Sequence, residues 1–169
     1  MSDDRGVGYA DQHAAATDEA IDQVRRLRAR MGGYGCDFHQ SAEVPDWMRA
    51  AIGAHEDAVA AGRGVGCAHV ARSRGPVVTH VALWAPGTVA CGPCTRVGEL
   101  FSTLPAELSC TACGSGSPPP EFFGALSLGP FIVEFLLCEP DQAELVKWSL
   151  AHGNAVAGGA AAADPTTTE

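Results

Sequence analysis

Two pairs of cysteines share one spacing, Cys91-Gly92-Pro93-Cys94 and Cys110-Thr111-Ala112-Cys113, with fifteen residues between the pairs. Two residues between cysteines let the backbone turn until both sulfurs face one point, and Gly114 behind the second pair permits a tight turn there. Thiolates are soft ligands, and zinc takes four of them tetrahedrally at about 2.3 Å in a closed structural site. The gap between the pairs lies within the range such a site uses. On this reading one Zn2+ is held by Cys91, Cys94, Cys110 and Cys113.

The segment 89–116 that carries these pairs resembles a zinc ribbon or zinc knuckle. The resemblance implies a structural metal and is nearly silent on function, because ribbons serve transcription factors, enzymes and adaptors alike. Cys91-Gly92-Pro93-Cys94 is also similar to the active-site tetrapeptide of thioredoxins, with Gly129-Pro130 near the place where that family keeps a cis-proline. Three features depart from that family. Trp84 lies seven residues before Cys91 instead of beside it, Gly98 interrupts the segment where an activating helix must begin, and a second Cys-x-x-Cys stands ready to close a metal site.

Other candidate ligands are scattered. Cys67-x-His69 would put a thiol and an imidazole on one face of a strand, and Cys138 closes a later apolar run. With His80 on a neighbouring strand and Asp141 three residues beyond Cys138, the trio Cys67, His69 and Cys138 makes a candidate second metal site. Its competitor is the burial of free cysteines in the core, where they behave as small hydrophobes. Cys36-x-x-His39 has ligand-like spacing without a second pair. His55-Glu56 lacks the metalloprotease pattern, since Val59 stands where a second histidine is needed, and Pro93-Cys94 lacks the cysteine a deaminase requires at position 97. Gly62-x-Gly64-x-Gly66 follows a helix and precedes a strand, which suits a cap and turn and not a phosphate loop.

These residues need elements to hold them. Thr17 caps a predicted helix over 18–31, with Ile21, Val24, Leu27 and Met31 as its apolar stripe. Pro45 opens a second helix reaching residue 61, with Trp47, Met48, Ala51, Ile52, His55, Ala58 and Val59 on its inner face. Residues 67–71 and 77–84 alternate as strands, 122–127 and 131–138 form a hairpin across Leu128-Gly129-Pro130, and a last helix over 141–152 is expected to bury Leu145, Trp148 and Leu150. Residues 1–16 read as a loose acidic arm, 17–154 as a single domain with the ribbon at 89–116, and 155–169 as an Ala/Gly/Thr tail. The expected fold is α+β, helices packed on a small, mainly antiparallel sheet with the ribbon inserted between strands.

Composition bounds the function. The net charge is −9, of which residues 1–20 hold −4 and the tail −2, leaving −3 for the body. Arg25, Arg26, Arg28 and Arg30 share their helix with Asp18, Glu19 and Asp22, a solvated face more than a phosphate-binding one. Nucleic acid is therefore an unfavoured partner. Ten of the eleven basic residues are Arg in an Ala- and Gly-rich chain, the composition of a high-GC bacterial genome. The opening Met-Ser-Asp-Asp has neither a basic nor an apolar region, so no signal peptide is expected, and Gly124, Gly129, Pro130 and Glu134 break the longest apolar run. Seven cysteines, an odd number with no export signal, argue for thiols in a reducing cytoplasm and against a disulfide framework. The function expected is a noncatalytic, zinc-containing binding or accessory protein for an unknown protein partner. A thiol-disulfide oxidoreductase or metal-dependent enzyme is the alternative, and a nucleic-acid-binding protein a further one.

Overall fold

The computed structural model describes residues 4–30, 35–36, 43–95, 108–117, 120–152 and 156–157. The chain is α+β. Its described elements are α1 (Asp4–Arg30), β1 (Gly35–Cys36), α2 (Asp46–Ala60), β2 (Val65–Gly66), α3 (Ala68–Arg72), β3 (Thr79–Ala82), β4 (Thr88–Cys91), β5 (Phe122–Leu128), β6 (Phe131–Leu137), α4 (Glu139–Ala151) and β7 (Val156–Ala157).

Five strands form one sheet in the order β2-β4-β3-β6-β5, and β1 pairs antiparallel with β7 apart from it. The sheet is mixed. β3–β4 and β5–β6 run antiparallel, while β2–β4 and β3–β6 run parallel. Alternation along β6 supplies both faces, since side chains point to opposite sides in turn. Val133, Phe135 and Leu137 enter the larger core with Val81, Leu83, Leu126, Met48 of α2 and Leu145 of α4. Ile132 faces the other way, and with Ala125 it meets Ala20, Val24 and Leu27 of α1. Close approach inside the β5–β6 hairpin demands glycine at one point: Gly124 faces Phe135 in register, and a Cβ there would lie 2.2 Å from the Phe135 ring. The freed ring packs edge-on against Trp47, with centroids 5.7 Å apart.

Several expectations change at the N-terminal half. The first helix begins at Asp4, so residues 4–16 of the expected loose arm are helical. Thr17 is no cap; its hydroxyl donates to the His13 carbonyl at 2.9 Å, the back-bond of a residue inside a helix. The buried stripe runs Ala16, Ala20, Val24 and Leu27, which places small alanines against the sheet. Residues 67–71 do not form a strand: Cys67 is the residue before α3, and His69 lies in its first turn. Met31, the ribbon interior from 96 to 107, His39 and nearly all of the 155–169 tail lie outside the described residues. The second helix, the 122–137 hairpin and the last helix stand where the periodicity puts them, except that Val59 and Leu150 are exposed.

Candidate metal centres

Among the described residues, two groups of four potential ligands form, one at each end of the sheet. Cys67, His69, Cys91 and Cys94 bring one ligand atom each to within 4.8 Å of one another, and so do Cys110, Cys113, Cys138 and Asp141. Each Cys-x-x-Cys pair is thus completed by residues at the start of a helix and not by the other pair. The trio Cys67, His69 and Cys138 is divided in the same way, two residues going to one group and one to the other.

Register explains the division. Cys91 ends β4 opposite Thr79, the first residue of β3, and Thr79 in turn lies beside Phe131, the first residue of β6. Cys138 follows the last residue of β6, seven positions further on. At a strand rise of about 3.3 Å per residue, that span is roughly 23 Å. A single ion bridging Cys91, Cys94, Cys110 and Cys113 would have to reach across most of that length.

The first group is built from the β4 terminus and the turn into α3. The Cys94 and Thr95 amides both donate to the Cys91 carbonyl at 2.9 Å, and the buried Thr95 hydroxyl donates to the Cys91 and Gly92 carbonyls at 3.1 and 2.8 Å. This folds the tetrapeptide back so that Cys94 meets His69, with Nδ1 to Sγ 3.1 Å. Parallel pairing of β2 with β4 brings in Cys67, whose sulfur accepts the Cys91 N–H at 3.3 Å. That amide, with the Val70 amide, holds the Cys67 thiol down to about 6. The Cys91 side chain, then burial and the Cys67 sulfur, push Cys94 up to about 11.

The second group sits where β6 passes into α4. The Thr111 amide donates to the Leu136 carbonyl at 2.7 Å and the Leu136 amide to the Thr111 hydroxyl at 3.0 Å, pinning the 110–113 turn to the edge of β6's end. Gly114 closes that turn with a φ of +72°, a left-handed conformation that other residues adopt at a cost, and its amide donates to the Cys110 carbonyl at 2.8 Å. Cys138 precedes α4 and Asp141 lies in its first turn. The thiols of Cys110 and Cys138 donate to Asp141 Oδ2 at 3.0 and 3.1 Å. Donation from Cys110, then Cys113 and Cys138, holds the Asp141 carboxyl below its ordinary range. For Cys138 the Asp141 backbone amide favours the thiolate, but the Asp141 carboxylate, burial and the two neighbouring thiols outweigh it and push the thiol up to about 12. Cys113 is pushed up first by the same carboxylate.

Both groups thus crowd thiols, and a divalent cation held there would favour every thiolate at once. The Cys113 and Cys138 sulfurs are 3.8 Å apart. Two thiolates on a tetrahedral ion at about 2.3 Å stand about 3.8 Å from each other. The donor sets, three thiolates with an imidazole and three thiolates with a carboxylate, suit a soft or borderline ion.

His80 joins neither group. It lies on the α1 face of the sheet, where Nδ1 meets Glu134 Oε1 at 2.7 Å with both side chains buried, and Nε2 has no hydrogen-bond partner among the described residues. Glu134 was the single acid in the run 131–138, which is the signal that could have singled it out. The thiol held low is Cys67, outside the thioredoxin-like tetrapeptide, and Cys94 within that tetrapeptide is shifted the opposite way. Among the described residues, Arg25 pairs with Asp22 and Arg26 with Glu19 on α1. No helix described is long and apolar enough to cross a membrane. No family model, curated protein or solved structure matches the chain.

Proposed function

We propose that the protein is a noncatalytic binding or accessory module built around two structural zinc ions. One ion is held by Cys67, His69, Cys91 and Cys94, the other by Cys110, Cys113, Cys138 and Asp141. The observation that carries this reading is the convergence of four ligand atoms in each group to within 4.8 Å. Four protein ligands saturate a tetrahedral ion and leave no position for a water or substrate, as a catalytic zinc requires. Each ion would tie a Cys-x-x-Cys turn to a helix start, and so fasten one end of the sheet.

Elemental analysis of the protein purified without chelator tests the reading. Two zinc ions per chain are expected, and cobalt substitution should give the intense visible bands of tetrahedral thiolate coordination. One ion per chain, lost on Cys94→Ser and equally on Cys110→Ser, would return the ligands to a single site. Retention of catalytic disulfide reduction by the zinc-loaded protein would replace the reading with the oxidoreductase one.

A further inference from the structure

A cavity of about 580 Å³ opens between α2 and the sheet, lined by none of the eight cysteine-group residues. That volume lies within the range of small-molecule sites, which run from about 300 to 1,000 Å³ and are mostly apolar. Ile52 and Val59 of α2 form one wall and Val81, Val89 and Val133 the other. At its mouth two large apolar side chains stay half in water, Val59 at 47% exposure and Phe131 at 46%. A helix packed on a sheet would ordinarily cover them.

Only two of the lining residues are polar, His55 and Glu56. His55 is buried, its Nδ1 accepts the Gly87 N–H at 3.0 Å, and burial holds the imidazole below its ordinary range, so it offers a ligand no positive charge. Glu56 is exposed and makes no hydrogen bond or ion pair with other described residues. Among the described residues, the charge lining the cavity is therefore a single carboxylate, unpaired by any of them, beside apolar walls. A carboxylate- or phosphate-headed ligand would meet repulsion there, whereas a cation would find an opposite charge at the solvent-facing edge of the apolar walls. The net charge of −9 draws cations toward the whole molecule as well.

We propose that this groove binds a small amphiphilic cation, with its apolar chain or ring between α2 and the strands and its positively charged end on Glu56. The proposal rests on the reading of the protein as a binding module, and it gives that module a ligand class. It also links the groove to the first cysteine group, because Val89 stands on β4 two residues before Cys91.

Calorimetric titration of the full, zinc-loaded chain with decyltrimethylammonium, 1-decanol and decanoate, each below its aggregation concentration, tests it, with zinc content measured on the same samples. The cation should bind about tenfold more tightly than decanoate, the scale of one exposed ion pair for the former set against one like-charge repulsion for the latter. Glu56→Gln should bring the cation to the affinity of decanol, and Val59→Trp, which fills the mouth from an exposed position, should weaken all three. Decanoate binding as tightly as the cation, an unchanged preference in Glu56→Gln, or no binding of any probe to fully loaded protein would overturn the proposal. A sample short of two zinc ions that still prefers the cation would instead refute the metal reading and leave the groove standing.

Discussion

The two ends of the sheet are built to one plan and secured to different depths. Each joins a Cys-x-x-Cys turn to the start of a helix, Cys67 and His69 before and within α3, Cys138 and Asp141 before and within α4. At the second end two of the four candidate ligands belong to the core itself: Cys110, 1% exposed, and Cys138 pack in the same cluster as Phe135, Leu137 and Leu145. At the first end the fastened elements have little else to hold them. α3 buries no residue, β2 is exposed along its length, and its Val65 is 71% exposed. The lesson is that the same ligand pattern can act as a keystone in one place and a tether in another, depending on what apolar surface lies behind it.

That contrast predicts unequal losses. Cys110→Ser should cost the most, removing a ligand and leaving a hydroxyl in the apolar core; a Tm lower by about 10 °C with one zinc lost is expected. Thermal unfolding with metal analysis measures it, and an unchanged Tm would place the second group outside the fold's support. Cys94→Ser should also cost one zinc but less than half as much Tm. Its signature is local: amide exchange in residues 62–78 should rise while that in β5 and β6 stays protected. Equal global destabilisation by the two variants would erase the distinction between keystone and tether.

A smaller effect concerns the wall between the two ends. Burial depresses the His55 pKa, so the folded state binds this proton less readily than the unfolded chain does. The stability His55 contributes is fully present above the unfolded value of about 6.5 and is lost as pH falls through that value toward the depressed one. Tm should therefore drop by about 2 °C more in the parent than in His55→Asn between pH 7 and pH 5, since asparagine can still accept the Gly87 amide without titrating. Parallel pH profiles would show that His55 is not the titrating group. The smallest expected effect is on nucleic acid. With Arg25 and Arg26 engaged by acids on their own helix, anisotropy titration should find no random-sequence DNA binding tighter than about 10⁻⁴ M at physiological salt.

Much of the local structure was legible in the sequence because it depends on local signals. Pro45 announces α2, and the alternating residues on either side of Leu128-Gly129-Pro130 announce β5 and β6. The thiol pairs were legible as ligand pairs because two residues of separation fix their geometry whatever lies around them. Their partners were not, since these depend on β3 running parallel to β6 and antiparallel to β4, a long-range arrangement that sends Cys91 and Cys138 to opposite ends. Asp141 was within reach of the same logic, for Cys138-x-x-Asp141 repeats the spacing of the cysteine pairs with a carboxylate in the last place. The strand expected over 67–71 failed for a simpler reason: five residues cannot separate a strand's alternation from one turn of helix, and Cys67 and His69 converge by the latter.

The grouping by ends has a consequence for how the chain is made. The ligands of the first group span residues 67–94 and those of the second 110–141, so the two sets do not interleave. A ribosome that has released Cys94 has delivered every side chain the first group needs, while β3 still lacks its parallel neighbour β6. At about 5–20 residues per second, the interval before Asp141 follows is roughly 2–10 seconds. During that interval a nascent chain carries one finished coordination set beside an unfinished sheet. Had the four cysteines at 91, 94, 110 and 113 shared one ion, no set would close until both halves of the ribbon had emerged.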